Sequence, residues 1–183
     1  DVDDALGKFD YIIAHGVYSW VPAEVQEKLL SVCSRSLAPD GVAIVSYNTF
    51  PGWRMRSMIR DAMLYHANQF ADPDQQVKQA RALIDFFAQN VPVENNPYGI
   101  LLRQELEDMR KHGDYYLAHE HLEGVNDPVY FHQFIGRAAA CGLQYLAEAE
   151  FATMIPTNFS PKVAETLRLI APDVIRMEQY MDF

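Results

Sequence analysis

Two stretches of the 183-residue sequence place aromatic and hydrogen-bonding side chains just where an apolar run ends. They are His15-Gly16-Val17-Tyr18-Ser19-Trp20-Val21-Pro22 and Asn48-Thr49-Phe50-Pro51-Gly52-Trp53. Groups of this kind bind and align a ligand, and their aromatic faces can exclude water or cage a cation. A second group of residues raises the question of a metal: His112, His119, Glu120, His121 and His132. His119 and His121 are two apart and so point to different faces of a helix, no HExxH spacing is present, and no cysteine supports the set. The metal expectation is therefore none. Arg54, Arg56 and Arg60 form the only local cluster of base, and three charges on one amphipathic helix read as a solvated face.

The elements that must position these residues can be traced from the pattern. Phe9-Asp10-Tyr11-Ile12-Ile13-Ala14 is a nearly continuous apolar run, as expected for a strand buried on both faces. Val25, Leu29, Val32, Cys33 and Leu37 follow at helical spacing, Pro39-Asp40-Gly41 makes a tight turn, and Val42 to Tyr47 is a second strand. Strand, helix and strand with short turns predict a right-handed parallel βαβ unit. In such sheets ligands sit beyond the carboxyl ends of the strands, which is where both stretches lie. From Met55 the pattern turns helical. Met55, Met58, Ile59 and Ala62 share one face, Asp72-Pro73 caps the next helix, and Tyr98 to Met109 marks another that stops near Gly113. Asp127-Pro128 is expected to start a helix closing at Gly142, Leu143 to Met154 to form a returning strand, and Ser160-Pro161 to begin a terminal helix.

Composition narrows the classes of function. A formal charge of −10 is a poor match to nucleic-acid phosphates, so duplex binding is excluded. Residues 1–65 carry −2 and residues 66–183 carry −8, which places the acidity in the helical part. No apolar run approaches the ~20 residues that cross a bilayer, and Asp1 opens no leader peptide. Cys33 and Cys141 read as small buried hydrophobes of a reducing, cytoplasmic compartment. Neither end carries a natural start or stop signal, so both read as cuts through a longer protein.

Phe9-Asp10-Tyr-Ile-Ile, a loop ending in Val21-Pro22, a helix, and Leu37-Ala-Pro39-Asp40-Gly41 before an apolar strand resemble the second half of a class I S-adenosylmethionine-dependent methyltransferase. Ser46 to Trp53, Tyr116 to Glu123, Asn126 to His132 and Gly142 to Phe151 extend the likeness to bacterial methyltransferases with a predicted methyltransferase regulatory domain. The fold this implies is α/β: the later strands of a Rossmann-like sheet, then a mainly helical regulatory or lid domain. The expected division is residues 1–65 for the partial methyltransferase domain, 66–142 for the helical domain, and 143–183 for a returning strand and terminal helices.

The resemblance also implies roles. His15, Gly16 and Val17 would line the cofactor, S-adenosylmethionine. Tyr18, Trp20, Tyr47, Asn48 and Trp53 would face the substrate, with Ser19 beside them; Asn48 would accept a hydrogen bond from the nucleophile and Tyr47 position it or take its proton. His119, Glu120 and His121 would contribute a lid. No catalytic residue is singled out. The methyl acceptor is open, a protein lysine being one option, and neither nucleic acid nor membrane is an expected partner. The family's G-x-G-x-G loop is absent, since no two of the nine glycines are two apart, and its ribose-binding acid is missing too. These would precede Asp1, so the segment alone is expected to be inactive and to need the remainder of its own chain. The alternative is a non-catalytic interaction module that modulates a neighbouring methyltransferase domain; a weaker one is an NAD-binding enzyme on a similar sheet.

Overall fold

A computed structural model describes residues 7–183, and the expectation attached to the opening Asp1-Val2-Asp3-Asp4 lies outside them. The described residues are mostly helical and include a small parallel sheet. They divide into two compact units, residues 7–51 with 125–183, and residues 52–124.

In the first unit, β1 (Phe9–Ala14) leads through the short 3-10 helix Tyr18–Trp20 into α1 (Ala23–Ser36) and then β2 (Leu37–Val45). The strands pair in parallel from Tyr11↔Val42 to Ala14↔Val45, with an irregular step between Phe9 and Tyr11 that absorbs the Pro39-Asp40-Gly41 turn. Gly41 is obligatory there, because a Cβ would stand 2.8 Å from the Phe9 carbonyl oxygen. The βαβ order agrees with the sequence, but burial on both faces does not hold for β1. Tyr11 is 73% exposed and Ile13 68%, so the face that carries them is open among the described residues.

The buried stripe of α1 is also rotated from the expected one. It consists of Gln26, Leu30, Cys33 and Ser36, with Val25 exposed, because Gln26 is drawn inward by hydrogen bonds. Later in this unit come α6 (Phe131–Ala140), α7 (Pro161–Ile170) and α8 (Val174–Asp182). The start of α6 is a second correction: Asp127-Pro128 does not cap it. Tyr130 is its N-cap, and the Gln133 side chain reaches back to the Tyr130 N–H. Its end at Gly142 is as expected, with φ at +81° and the Leu143 N–H closing on the Ala138 carbonyl. Leu143 to Met154 is not a strand. Among the described residues it pairs with no strand, Leu146 faces solvent, and the segment ends in the 3-10 helix Phe151–Met154. Ser160 caps α7 as expected, its Oγ accepting the Val163 N–H.

The second unit holds α2 (Gly52–Ala67), α3 (Pro73–Asn90), α4 (Pro97–Lys111) and α5 (Asp114–Leu122). Asp72 caps α3 and Asn96 caps α4, each ahead of a first-turn proline that needs no donor. The core is built at helical spacing: Ile59, Met63 and Ala67 from α2, Ala80, Ile84 and Ala88 from α3, Leu102, Leu106 and Met109 from α4, and Leu117 from α5. Met55 and Met58, expected on the buried face of α2, are about half exposed. The inward side of that helix is taken instead by Trp53, Ile59, Arg60 and Met63.

Candidate functional site

The two stretches singled out in the sequence leave the carboxyl ends of adjacent parallel strands and are tied to each other at once. The Ser46 N–H donates to the Ala14 carbonyl at 3.1 Å, and the Gly16 N–H to Ser46 Oγ at 2.8 Å. Gly16 sits at φ +68° with open space where a Cβ would be. His15, Gly16 and Val17 are all exposed. Glycine there leaves the rim of the sheet open to close approach.

The next residues are held more tightly. Ser19 is buried; its Oγ accepts the Asn48 N–H at 2.8 Å and its carbonyl accepts the Asp127 N–H at 2.8 Å. Asn48 donates its side-chain amide to Asn126 Oδ1 at 3.1 Å, and its carbonyl accepts the Val129 N–H. Thr49 bridges to Val129 in parallel. With its amide nitrogen donating to Asn126, the Asn48 side chain keeps its oxygen as an acceptor. Tyr18 is fully buried with its ring edge-on to Phe134 at 5.1 Å and to Tyr47 at 6.0 Å, while Tyr47 stacks on Phe134 at 4.1 Å. These rings form a small apolar core with Leu30, Val129 and Ala138, and Tyr18 belongs to that core rather than to an open pocket. Burial, followed by the charges of Glu148 and Asp182, pushes the Tyr47 phenol far above its ordinary value, so it stays protonated. Trp20 is half-buried at the end of its 3-10 helix.

A polar network crosses beneath. Arg137 donates to Gln26 Oε1 at 2.8 Å and to the Tyr18 hydroxyl at 3.3 Å, and lies 3.6 Å from Asp127 Oδ2. Gln26 donates in turn to Asp127 Oδ2 and to the Val21 carbonyl. The guanidinium is held above its usual pKa first by the Tyr18 hydroxyl and then by Asp127.

The other expected residues lie in the helical unit. Trp53 is buried in the first turn of α2, with the Arg56 guanidinium 5.7 Å from its ring centroid. Arg56 is 3.6 Å from Glu105 and 3.9 Å from Glu120. Arg60 is buried and donates to the Glu123 carbonyl. The arginine cluster is thus not wholly a solvated face: Arg56 pairs with acids from α4 and α5, and Arg60 is buried on the backbone carbonyl of Glu123. His121 is 1% exposed and 3.3 Å from Glu105 Oε1, yet the alignment leaves both ring nitrogens without a hydrogen bond. Burial, then Arg56 and Arg60, lowers its pKa to about 4, so the ring is neutral. Burial raises Glu105, against the pull of Arg56. His121 thus serves the interior of its own unit, while His119 and Glu120 are half-buried.

Residues 113–183 match the family described as the predicted methyltransferase regulatory domain. Over its whole length the chain is 43% identical to PKMT2 from Rickettsia typhi, with TM-scores of 0.84 for one structure and 0.85 for that protein in complex with AdoHcy, and it covers 34% of that chain. It is 46% identical over 183 residues to the uncharacterized protein RP789 of Rickettsia prowazekii, spanning 33% of it. It is also 23% identical over 184 residues to the uncharacterized protein sll1526 of Synechocystis, spanning 36%. The chain therefore spans about a third of the length of these relatives. The resemblance drawn from the sequence is borne out.

The matched segment, residues 113–183, is also where the loop contacts come from. Asn126, Asp127, Val129 and Arg137 all belong to it, and they hold Asn48, Ser19, Gln26, Thr49 and Tyr18. Gln26, Asp127 and Arg137 were not among the expected site residues. Gln26 sat between apolar helix positions, and Asp127 looked like a cap because a proline follows it. An unusual glutamine on the apolar stripe of α1 was the one available signal.

Proposed function

We propose that this chain is part of an S-adenosylmethionine-dependent methyltransferase whose regulatory domain controls the loops that hold cofactor and acceptor. The observation that carries the reading is the whole-length likeness to a protein solved with AdoHcy, the species S-adenosylmethionine becomes on losing its methyl group. Gly16, exposed at positive φ with open space above it, fits one wall of such a cofactor site, and His15 and Val17 flank it. When bound, the cofactor supplies an electrophilic methyl group for in-line displacement. For that chemistry a protein chiefly needs alignment. Asn48 is the residue to orient the acceptor through its side-chain oxygen. Tyr47, held neutral, positions and shields without taking a proton. An amine acceptor such as a protein lysine is consistent with this surface, and Trp20 is a candidate for its recognition; Trp53, expected to face the substrate, is buried in the helical unit. His119 and Glu120 are the lid candidates that remain, and regulation would act through Asn126, Asp127 and Arg137.

Calorimetric titration with S-adenosylmethionine, of the full-length protein and of residues 1–183 alone, tests the proposal. Binding by the full-length protein only is the expected result. Tight binding by residues 1–183 would overturn their expected inactivity. Binding by neither would favour the second reading, a non-catalytic module acting on a neighbouring methyltransferase domain, which the regulatory-domain match itself keeps in play.

A further inference from the structure

The chain that leaves β2 gains a neighbour beyond the end of the sheet. Thr49 bridges Val129 in parallel, the Val129 N–H donates to the Asn48 carbonyl, and the Phe50 N–H donates to the Val129 carbonyl. Residues 126–130 therefore run in the same direction as residues 48–50, away from the carboxyl ends of the strands. Ligands of parallel sheets sit at that end. Both lines close in aromatic rings. Phe50 lies 5.4 Å from Tyr130, and the His132 imidazole is nearly parallel to the Tyr130 ring at 5.7 Å. His132 itself is exposed, at the second position of α6.

A buried side chain decides where the proton of this imidazole sits. Gln179, 6% exposed on α8, brings its Oε1 to 3.1 Å from the His132 backbone nitrogen and to 2.7 Å from Nδ1. A backbone N–H can only donate, and this one lies in the first turn of α6, where no helical carbonyl serves it. The oxygen end of the Gln179 amide is therefore fixed toward His132. Nδ1 faces the same oxygen and must carry a hydrogen, which leaves Nε2 as the lone-pair nitrogen of the neutral ring. The arrangement costs stability, because the Gln179 Nε2 is buried without a hydrogen-bond partner among the described residues. Packing alone makes no demand on a tautomer. A proton acceptor does.

We infer that His132 takes the proton from an amine substrate, and that Gln179 is the positioning residue that keeps its Nε2 free to do so. This rests on the proposed methyl transfer. An alkylammonium gives its proton to Nε2, which leaves the amine with a free electron pair. That pair forms the new N–C bond as the C–S bond of the sulfonium breaks, the bonding electrons going to sulfur. The imidazolium then passes its proton to water.

Two measurements on the full-length protein test it. The first needs no turnover: heteronuclear NMR of the imidazole nitrogens at mildly alkaline pH, with the His132 signal assigned by its loss in His132→Asn. Neutral His132 should be in the Nδ1–H form, and Gln179→Leu should shift it toward Nε2–H. The second follows methyl transfer from S-adenosylmethionine to poly-L-lysine. His132→Asn retains an N–H for Gln179 and should lower kcat about a hundredfold or more, with KM within about threefold. Gln179→Leu should lower kcat about tenfold, again with little change in KM. If Gln179→Leu fails to fold, as circular dichroism would show, His132→Asn and the tautomer of the natural protein decide. An Nε2–H tautomer in the natural protein, or a kcat for His132→Asn within about threefold of natural, overturns the inference. So does absence of transfer to poly-L-lysine by protein that binds S-adenosylmethionine. Failure to bind S-adenosylmethionine at all would overturn the methyl-transfer reading first, and this inference with it.

Discussion

At the scale of single residues, Ser19 and Asn48 show how two small polar side chains order two loops. Ser19 Oγ is the acceptor for the Asn48 N–H, and its own carbonyl anchors Asp127. Ser19→Ala leaves the Asn48 N–H without that acceptor in a partly buried place, and should destabilise by about 1–3 kcal/mol. The check is the shift of the urea unfolding midpoint for the full-length protein. An unchanged midpoint would mean that water replaces the hydroxyl. Tyr47 permits a sharper statement. Because burial and the neighbouring carboxylates keep its phenol protonated, Tyr47→Phe should leave the shape of the pH profile of the proposed methyl transfer unchanged. The stack on Phe134 survives the substitution. Loss of a limb from that profile would restore Tyr47 as a proton acceptor.

Helices α4 and α6 offer a matched pair of glycines. Gly99 lies against the Val91–Asn96 loop so closely that a Cβ would stand 2.2 Å from the Pro92 carbonyl oxygen. Gly99→Ala must displace backbone, and should cost about 1–3 kcal/mol. Gly136 is helical and exposed with nothing within 4 Å of its would-be Cβ. Gly136→Ala should therefore stabilise by roughly 0.5–1 kcal/mol, through lower chain entropy in the unfolded state. Thermal unfolding of both variants beside the natural protein checks the pair, and a common sign would refute the argument. The same elements show where the reading of the sequence stopped. The caps at Asp72, Asn96 and Ser160 are local chemistry and visible in the chain. The start of α6 was not, because Asp127 forgoes capping to accept from Gln26, a residue about a hundred positions away.

Across the molecule the two units should answer pH in opposite directions. His121 titrates at about 4 in the fold and 6.5 when free, so the unfolded chain binds the extra proton between these values. Its contribution is present above 6.5 and is lost as pH falls toward 4, by up to about 3 kcal/mol. Glu105, raised by burial, offsets part of this, since protonation at low pH relieves it. In the other unit Glu178 and Asp182 are raised to about 7 and about 6, so the fold binds the extra protons. Stability there is full below their unfolded values, 4.5 and 3.8, and declines as pH rises through 6 and 7. Hydrogen exchange corrected for intrinsic rate should thus show α8 more protected at pH 5 than at pH 8, and α5 the reverse. Uniform behaviour of both helices would refute the assignment. No helix among the described residues is long and apolar enough to cross a membrane.

By itself the sequence determined what short-range chemistry decides: the order strand, helix, strand, the capped helices that follow, and the regulatory-domain resemblance. Those follow from apolar period, turn residues and caps, each read within a few positions of the chain. Only the tertiary structure decided which polar residues act together. Gln26, Asp127 and Arg137 meet from three elements, and Arg60, Glu105 and His121 are buried with the half-buried Arg56 beside them. A charged residue reads as solvated until its partner is known, and here each partner comes from a different helix or loop. The same cause withheld the strand expected at Leu143 to Met154: a strand needs a neighbour to pair with, and pairing is a property of the fold, not of the segment.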